Sequence, residues 1–583
     1  MDILFIDPNS KPGLNQEVNG TLILGSLLSS AGFDVDVLRF HEIEGYKEDY
    51  PKFIRNIVDK ICVMNPSAIS FYSLWPDYHI TLRIASLVKE RNSSIYVILG
   101  GPHPSVCARE TLTFAPYIDC IASGEGECTV IPLFNSLLRD QGHLDNIPGL
   151  YYRVGSDVRF NNIPNPVFDI NLLPYWDEKL YFTRLPDETY ASRSYFMPID
   201  VGRGCPFSCT YCTSSTFWKR NYRLKSPDRI IEEIIYFRKK YGIRSFRFSH
   251  DAFTVNKNLV SEICDRIINE KLDIVWVCTS RIDCITEDLI LKMKSAGMIR
   301  IELGVESGSA RIQKLINKKL NLTRVRHVVK FLLSEGIDVV LFFMFGFPQE
   351  EEDDLSDTLA LQLDLLDMGV SRESMALCRF APGTKLTEEY FESLVFDPSV
   401  MELREHVFGY EEEKAMICSN KKIFSMFYHL NSYVRDNYQN LRYFMQLYQK
   451  FPNSIRYLRT LYGGNDLQFY RDFCSTNQIV LDQGVEHLGT ILEEAPLELV
   501  YRMIDNISNP SVSRLKELFR YDRNIQLVSK SRENKEITDE YGFNYIDLKY
   551  KLRLSEFTSG SSVISMKKIN GKTEVRLVKI IPV

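Results

Sequence analysis

The chain has 583 residues, which at roughly 150 residues per domain implies about four folding units, or three large ones, and excludes a single small module. Hydrophobic residues at 45% and charged residues at 25% are ordinary for a folded, water-soluble protein and exclude wholesale disorder. A net charge of −6, with Lys and Arg nowhere gathered into a stripe, excludes the electrostatic footprint of a nucleic-acid binder.

The N-terminus, Met1-Asp2-Ile3-Leu4, carries an acid where a signal peptide has a basic region. The longest apolar run, 339–345, is far below the roughly 18 residues a membrane span needs. Export and membrane insertion are disfavoured, and a cytoplasmic protein is expected.

Residues 1–130 alternate strand-like segments (3–7, 34–40, 68–72, 95–99, 118–122) with helical ones (20–31, 53–64, 80–91). Apolar strands separated by amphipathic helices form parallel βαβ units, and a doubly wound sheet binds ligands beyond the carboxyl ends of its strands. This domain is expected over 1–144. Recurrent prolines (Pro148, Pro164, Pro166, Pro174, Pro186) then mark 145–194 as a linker crossing the surface of the next domain. A second βα series has strands at 199–201, 245–249, 274–278, 301–305, 339–345 and 375–380, predicting a partial (β/α)6 barrel over 195–394. From 395 to 583 long helices are expected at 421–450, 485–506 and 511–521, followed by strands 562–567 and 573–581 around an Asn570-Gly571 turn. The overall class is α/β with a mainly helical C-terminal domain.

Thirteen cysteines are an odd count without a secretory signal, so reduced thiols or metal ligation outweigh a disulfide framework. Ten are scattered and three are clustered: Cys205, Cys209 and Cys212 follow the first barrel strand and Gly202-Arg203-Gly204. Structural zinc requires a fourth Cys or His nearby, and none follows within twenty residues. Three thiolates on a compact loop suit a [4Fe–4S] cluster with one iron left open.

The C-x3-C-x2-C spacing, with Tyr211 before the last Cys, resembles the radical S-adenosylmethionine (SAM) superfamily. The resemblance implies that SAM chelates the open iron and is cleaved to a 5′-deoxyadenosyl radical, with electrons from an external donor such as flavodoxin or ferredoxin. Strand ends at Phe248-Ser249-His250-Asp251, Ser280-Arg281, Gly304-Val305-Glu306-Ser307-Gly308 and Gly346-Phe347-Pro348 carry polar or glycine residues where parallel barrels hold their catalytic groups. Tyr211, Ser249, Asp251, Arg281 and Glu306 are therefore the SAM candidates. The competing explanation is helix capping by Ser249, Asp251 and Ser307. The acidic run 350–354 is expected to be a solvated first helical turn.

The first sheet lacks G-x-G-x-x-G after its first strand, so NAD binding is unsupported. Its strand ends instead carry Gly100-Gly101-Pro102-His103 and Gly124-Glu125-Gly126-Glu127, where glycine lets backbone lie against a large flat ligand. Ahead of the cysteine triplet, these stretches resemble the cobalamin-binding domain of class B radical SAM enzymes over about residues 1–390. That implies cobalamin contacts from Asn9, Ser70, Tyr72, Ser73, Trp75, Gly100, Gly101, Pro102, His103, Gly124 and Glu125. The D-x-H-x-x-G cobalt-ligand motif is absent after strand one. His79 is expected to be a surface or helix-start histidine, with the lower corrin face unligated or covered by Leu74-Trp75-Pro76.

The resemblance implies a C-methyltransferase acting on an unactivated carbon of a natural-product or peptide intermediate. The alternatives are ring contraction or oxidative cyclisation with the same cofactors, or a non-catalytic cobalamin sensor or carrier. Phe424, Phe427, Tyr428, Tyr433, Tyr438, Tyr443 and Phe444 are expected to be core packing, with a roof over the barrel mouth as the second option.

Overall fold

The computed structural model describes residues 1–8, 19–46, 49–74, 77–140, 143–161, 168–181, 196–370, 372–397, 411–450 and 452–476, and strands Ile537–Thr538, Asn544–Tyr545, Ser562–Ile569 and Lys572–Lys579. Asn9, Trp75, the Asn570-Gly571 turn and the helices expected at 485–506 and 511–521 lie outside the described residues. The chain divides into two compact units: 1–305 with 313–338 and 378–431, and 306–312 with 339–377 and 432–583.

In the first unit, strands β1 (Ile3–Asp7), β2 (Val35–Arg39), β3 (Ala68–Tyr72), β4 (Tyr96–Gly100) and β5 (Cys120–Ala122) pair in parallel in the order β2-β1-β3-β4-β5. The order reverses between β1 and β3, and the crevice beyond such a switch point is where doubly wound sheets take ligands. Ile3, Leu4, Ile6, Ile69 and Phe71 are wholly buried, each worth about 1.5–3 kcal/mol relative to exposure. The flanking helices follow local rules. Helix Tyr50–Met64 starts where the Asp49 carboxylate accepts from the Lys52 N–H at 3.0 Å, buries Phe53, Ile57 and Ile61 on one stripe, and stops at Asn65 in the left-handed conformation.

The expected linker does not begin at 145. Strands β6 (Leu150–Val154) and β7 (Asp157–Phe160) continue the first sheet antiparallel to β5. Their solvent-facing residues, including half-exposed Phe160 stacked on Tyr151, broke the apolar pattern that marks a buried strand.

The second series begins in the same unit with β8 (Met197–Asp200) and a two-residue ladder of β9 (Gly202–Arg203) and β10 (Arg223–Leu224). It continues with β11 (Ser245–Ser249), β12 (Val275–Ser280) and β13 (Met298–Glu306), parallel in the order β8-β11-β12-β13. In the second unit β14 (Asp338–Phe345) pairs in parallel with β15 (Arg372–Leu377). The last strand ends three residues before the apolar run does, because Cys378 and Phe380 are buried in the loop that follows.

The helix expected over 421–450 is broken. Ser425 Oγ, fully buried, donates to the Phe380 carbonyl at 2.6 Å, and Tyr428–His429 pairs with Val395–Phe396 before helix Tyr438–Lys450 begins. Tertiary contacts override propensity here. Phe424, Phe427, Tyr428, Tyr438, Tyr443 and Phe444 are buried, as core packing requires. In the first unit Phe424 and Phe427 lie 6.2 Å from Tyr78 and 5.5 Å from His79.

Candidate functional site

The cysteine loop is held from both sides within the first unit. The Thr210 N–H donates to the Ile316 carbonyl and its own carbonyl accepts from the Leu386 N–H, at 3.0 and 2.9 Å, while Asn317 Nδ2 donates to the Ser208 carbonyl and hydroxyl. Gly204, at φ 80°, leaves no room for a side chain: a Cβ would fall 1.7 Å from the Asn221 carbonyl oxygen. Cys209 is buried, and Cys205 and Cys212 are half-buried. Burial pushes the Cys205 thiol up against the opposing Phe207 N–H, and pushes Cys212 up to about 11 against the N–H groups of Ser215 and Ser214. Arg281 Nη1 donates to the Cys209 sulfur at 3.4 Å.

Tyr211 sits in that loop, half-exposed. Ser249 and Asp251 follow β11; Asp251 accepts from Ser214 Oγ just past the triplet and is felt electrostatically at Cys205 and Cys212. Neither residue caps a helix, since Asn256 Oδ1 takes that place by accepting from the Leu259 N–H. Arg281 turns toward the cysteine loop. Its guanidinium donates to Asp283 at 3.0 and 2.8 Å and to the Lys318 carbonyl at 3.0 Å, and it stacks 3.8 Å from the Phe207 centroid.

In the second unit Glu306 ends β13, buried, with φ +70°. Ser307 is no cap either: the hydroxyl that accepts from the Ile312 N–H belongs to Ser309. The acidic run opens helix Glu352–Asp367 as a first turn, as expected, but its two ends are buried. Asp354 is 4% exposed and binds Ser309 and Arg311; Glu350 is 4% exposed and accepts from the Gly346 and Phe347 N–H groups at 2.5 and 3.1 Å. Only its middle stays near solvent. Burial pushes the Glu350 carboxyl up to about 8.

At the carboxyl ends of the first sheet, Ser105 joins two loops. Its Oγ donates to the Gly101 carbonyl at 2.6 Å and accepts from the Gly124 N–H at 2.9 Å, while Ser123 Oγ donates to its carbonyl. Ser73 N–H donates to the Gly100 carbonyl at 2.9 Å and Ser73 Oγ pairs with Thr81, so the expected residues after β3, β4 and β5 form one rim. Ser70 is buried within β3. A Cβ at Gly101 would meet the Ser73 backbone at 3.0 Å, whereas at Gly100 nothing lies nearer than 3.8 Å. The fold therefore requires glycine at 101, whereas at 100 it leaves room for a side chain. Pro102 and His103 line a small cavity with Leu74, Thr213 and Phe217 of the segment after the triplet. Burial lowers His103 to about 4. His79 starts helix Tyr78–Arg91 as expected but is fully buried, because Phe427 covers it edge-on.

The two strand-end clusters meet. Tyr72, its hydroxyl pushed up by burial and then by Asp7, also feels Arg203, Asp251 and Glu127. Glu125 does not stand open: Arg203 Nη1 lies 3.0 Å from it, and Arg223 binds it too. Arg203, Glu127, Arg223 and Ser105 went unnoticed in the sequence. Arg203 lies in Gly202-Arg203-Gly204 and Glu127 in Gly124-Glu125-Gly126-Glu127, and a charged residue between glycines beside a metal-type triplet is the signal that marks Arg203.

A model of the radical SAM superfamily matches residues 199–361, and one of the B12 binding domain matches 10–132. An uncharacterized methyltransferase of Pyrococcus horikoshii is 30% identical over 395 residues, covering 67% of this chain and 83% of that protein. The anaerobic magnesium-protoporphyrin IX monomethyl ester cyclase of Rubrivivax gelatinosus is 25% identical, covering 62% of this chain and 66% of its own. The solved structure of the cobalamin-dependent SAM radical enzyme OxsB, with aqua-cobalamin and SAM bound, shares the fold at TM-score 0.56 and 15% identity, over 91% of this chain and 82% of that one. The chain belongs to the cobalamin-dependent radical SAM enzyme family. Its domains imply a [4Fe–4S] cluster, SAM and cobalamin as cofactors.

The cysteine loop fits the cluster. Each of the three sulfurs has an N–H donor aimed at it, the kind of hydrogen bond that cluster thiolates accept. Among the described residues no three His, Cys, Asp or Glu side chains converge as on a single ion; a four-iron cube offers each thiolate its own iron, so convergence is not required. Among the described residues no helix is long and apolar enough to cross a membrane.

Proposed function

We propose that this protein is a C-methyltransferase that uses cobalamin and radical SAM chemistry on an unactivated carbon of a natural-product or peptide intermediate. The observation that carries this reading is the meeting, within one unit, of the cysteine loop and the corrin-type rim, through Arg203 to Glu125 and Glu127 and through the charges around Tyr72. When bound, the cluster supplies the electron that splits SAM to a 5′-deoxyadenosyl radical, and the corrinoid supplies the methyl group.

In this reading Cys205, Cys209 and Cys212 hold the cluster, and Tyr211, Ser249, Asp251 and Glu306 serve SAM. Arg281, with its donors committed to Cys209, Asp283 and Lys318, acts on the cluster side and steadies the thiolate. Ser73, Gly100, Gly101, Pro102, Gly124 and the Ser105 staple form a wall shaped before the corrin arrives, which lowers the ordering cost of binding. His79, enclosed with its ring against Phe427, would not serve as a ligand to the corrinoid.

The cyclase relative supports a second reading, radical chemistry without methyl transfer. Anaerobic incubation of the reconstituted protein with methyl-deuterated SAM and candidate substrates separates the two. Deuterated product supports methylation; 5′-deoxyadenosine with unlabelled, altered product supports the second reading; no 5′-deoxyadenosine from protein carrying both cofactors overturns both.

A further inference from the structure

Arg203 lies two residues before the first cluster cysteine, yet its two shortest side-chain hydrogen bonds go to the N-terminal domain. Nη1 reaches Glu125 at 3.0 Å and Nη2 reaches Glu127 at 2.6 Å, while Asp200, at the end of β8, holds the guanidinium from its own side at 3.4 Å. Arg223, the ladder partner of Arg203, adds a second guanidinium to Glu125. Arg203 is 9% exposed and Glu127 5%.

Buried ion pairs are poor stabilisers, because desolvation cancels most of their attraction; what a forked guanidinium between two carboxylates supplies is a unique geometry. Both ends of this bridge are stiff. On one side Gly204 is packed against Asn221 with no room for a Cβ. On the other, the Gly124 N–H is tied to Ser105 Oγ, which itself donates to the Gly101 carbonyl. A rigid strut between two rigid loops fixes the separation of what those loops carry.

We propose that Arg203 is a positioning residue that sets the distance between the cluster loop and the corrin-binding rim, and so couples SAM cleavage to chemistry at the corrinoid. The proposal rests on the cofactor placement above. It does not depend on whether the final product is methylated.

The test uses wild type, R203K and E127Q, each reconstituted with iron, sulfide and cobalamin. R203K keeps the charge and loses the fork; E127Q leaves the cysteine loop untouched and keeps a side chain of the same size. Paramagnetic resonance of the reduced cluster beside cob(II)alamin reads the spin–spin interaction, hence the spacing, without turnover. With SAM and titanium(III) citrate, which reduces the cluster and cob(II)alamin, the initial rate of S-adenosylhomocysteine formation reads methyl transfer to cob(I)alamin, at most one per chain, and that of 5′-deoxyadenosine reads reductive cleavage, with no substrate needed.

Both variants are expected to retain the cluster and to form 5′-deoxyadenosine within about threefold of wild type, while the spin interaction broadens or weakens. The ratio of S-adenosylhomocysteine to 5′-deoxyadenosine should fall at least tenfold, the order of loss that a misplacement of about 1 Å brings. An unchanged spin interaction and product ratio in both variants would overturn the proposal, as would cluster loss in R203K with wild-type behaviour in E127Q. A wild-type protein with a strong spin interaction but no methylated product would defeat the methylation reading alone.

Discussion

Arg281 Nη1 lies 3.4 Å from the Cys209 sulfur, and the same guanidinium stacks on Phe207 of the cysteine loop. A cation donating to a cluster thiolate favours the reduced cluster. Replacing Arg281 with Met should lower the cluster's midpoint potential by about 60 mV, the one-electron equivalent of about 1.4 kcal/mol for one charge-assisted hydrogen bond. A redox titration of the reconstituted variant measures it.

Ser in place of Cys205, Cys209 or Cys212 removes one of three protein ligands to the iron. Each variant should bind less iron and sulfide per chain and form no 5′-deoxyadenosine, while its far-ultraviolet circular dichroism stays that of wild type. Loss of a dispersed thiol such as Cys418, exposed on its helix, should change neither quantity.

Gly100 and Gly101 offer a matched pair. Gly101 has φ 100° and ψ −179°, a region open to glycine alone, so G101A should cost about 1–3 kcal/mol of stability. Gly100 has space for a methyl group in the bare fold, so G100A should melt like wild type. If G100A nevertheless loses cobalamin affinity in a spectrophotometric titration, the corrin occupies that space.

Glu350 carries a pH dependence whose sign follows from its burial. Its carboxyl titrates near 8 when folded and near the ordinary carboxyl value when unfolded, so between those values the folded state holds the extra proton. Stability conferred by the protonated form is present at the low end of that window and is lost as pH rises toward 8. At about 1.4 kcal/mol per unit, the loss is on the order of a few kcal/mol. E350Q should flatten the denaturant-midpoint profile across the window.

In the second unit, Arg459 ties three aspartates together, Asp364 at 2.8 Å, Asp367 at 2.7 Å and Asp466 at 2.6 Å, with Arg456 and Tyr448 also on Asp367. R459M leaves Asp466, 4% exposed, without its cation and should destabilise the protein by on the order of 3 kcal/mol, read by thermal unfolding.

The parts written in local pattern were legible. Alternating apolar strands announced both βα series, and the spacing of Cys205, Cys209 and Cys212 pointed to one kind of metal group. What depended on distant partners was hidden. The edge strands β6 and β7 lacked a continuous apolar run, the helix across Ser425 was broken by a carbonyl at Phe380, and the run beginning at Glu350 looked like a solvated turn because nothing local reveals that Gly346 and Phe347 fold back onto it. Glu125 lies after β5, but its partners, Arg203 and Arg223, are close to it only in space.

The helix Tyr78–Arg91 and its neighbours are covered by chain made much later: Cys107 Sγ donates weakly to the Lys422 carbonyl, 315 residues onward, and Phe424 and Phe427 close over Tyr78 and His79. During synthesis the first sheet therefore emerges from the ribosome with an apolar flank bare, and it stays so until the whole second βα series has been translated. A chain that ends near residue 395 lacks Phe424 and Phe427 and leaves Tyr78 and His79 without that cover.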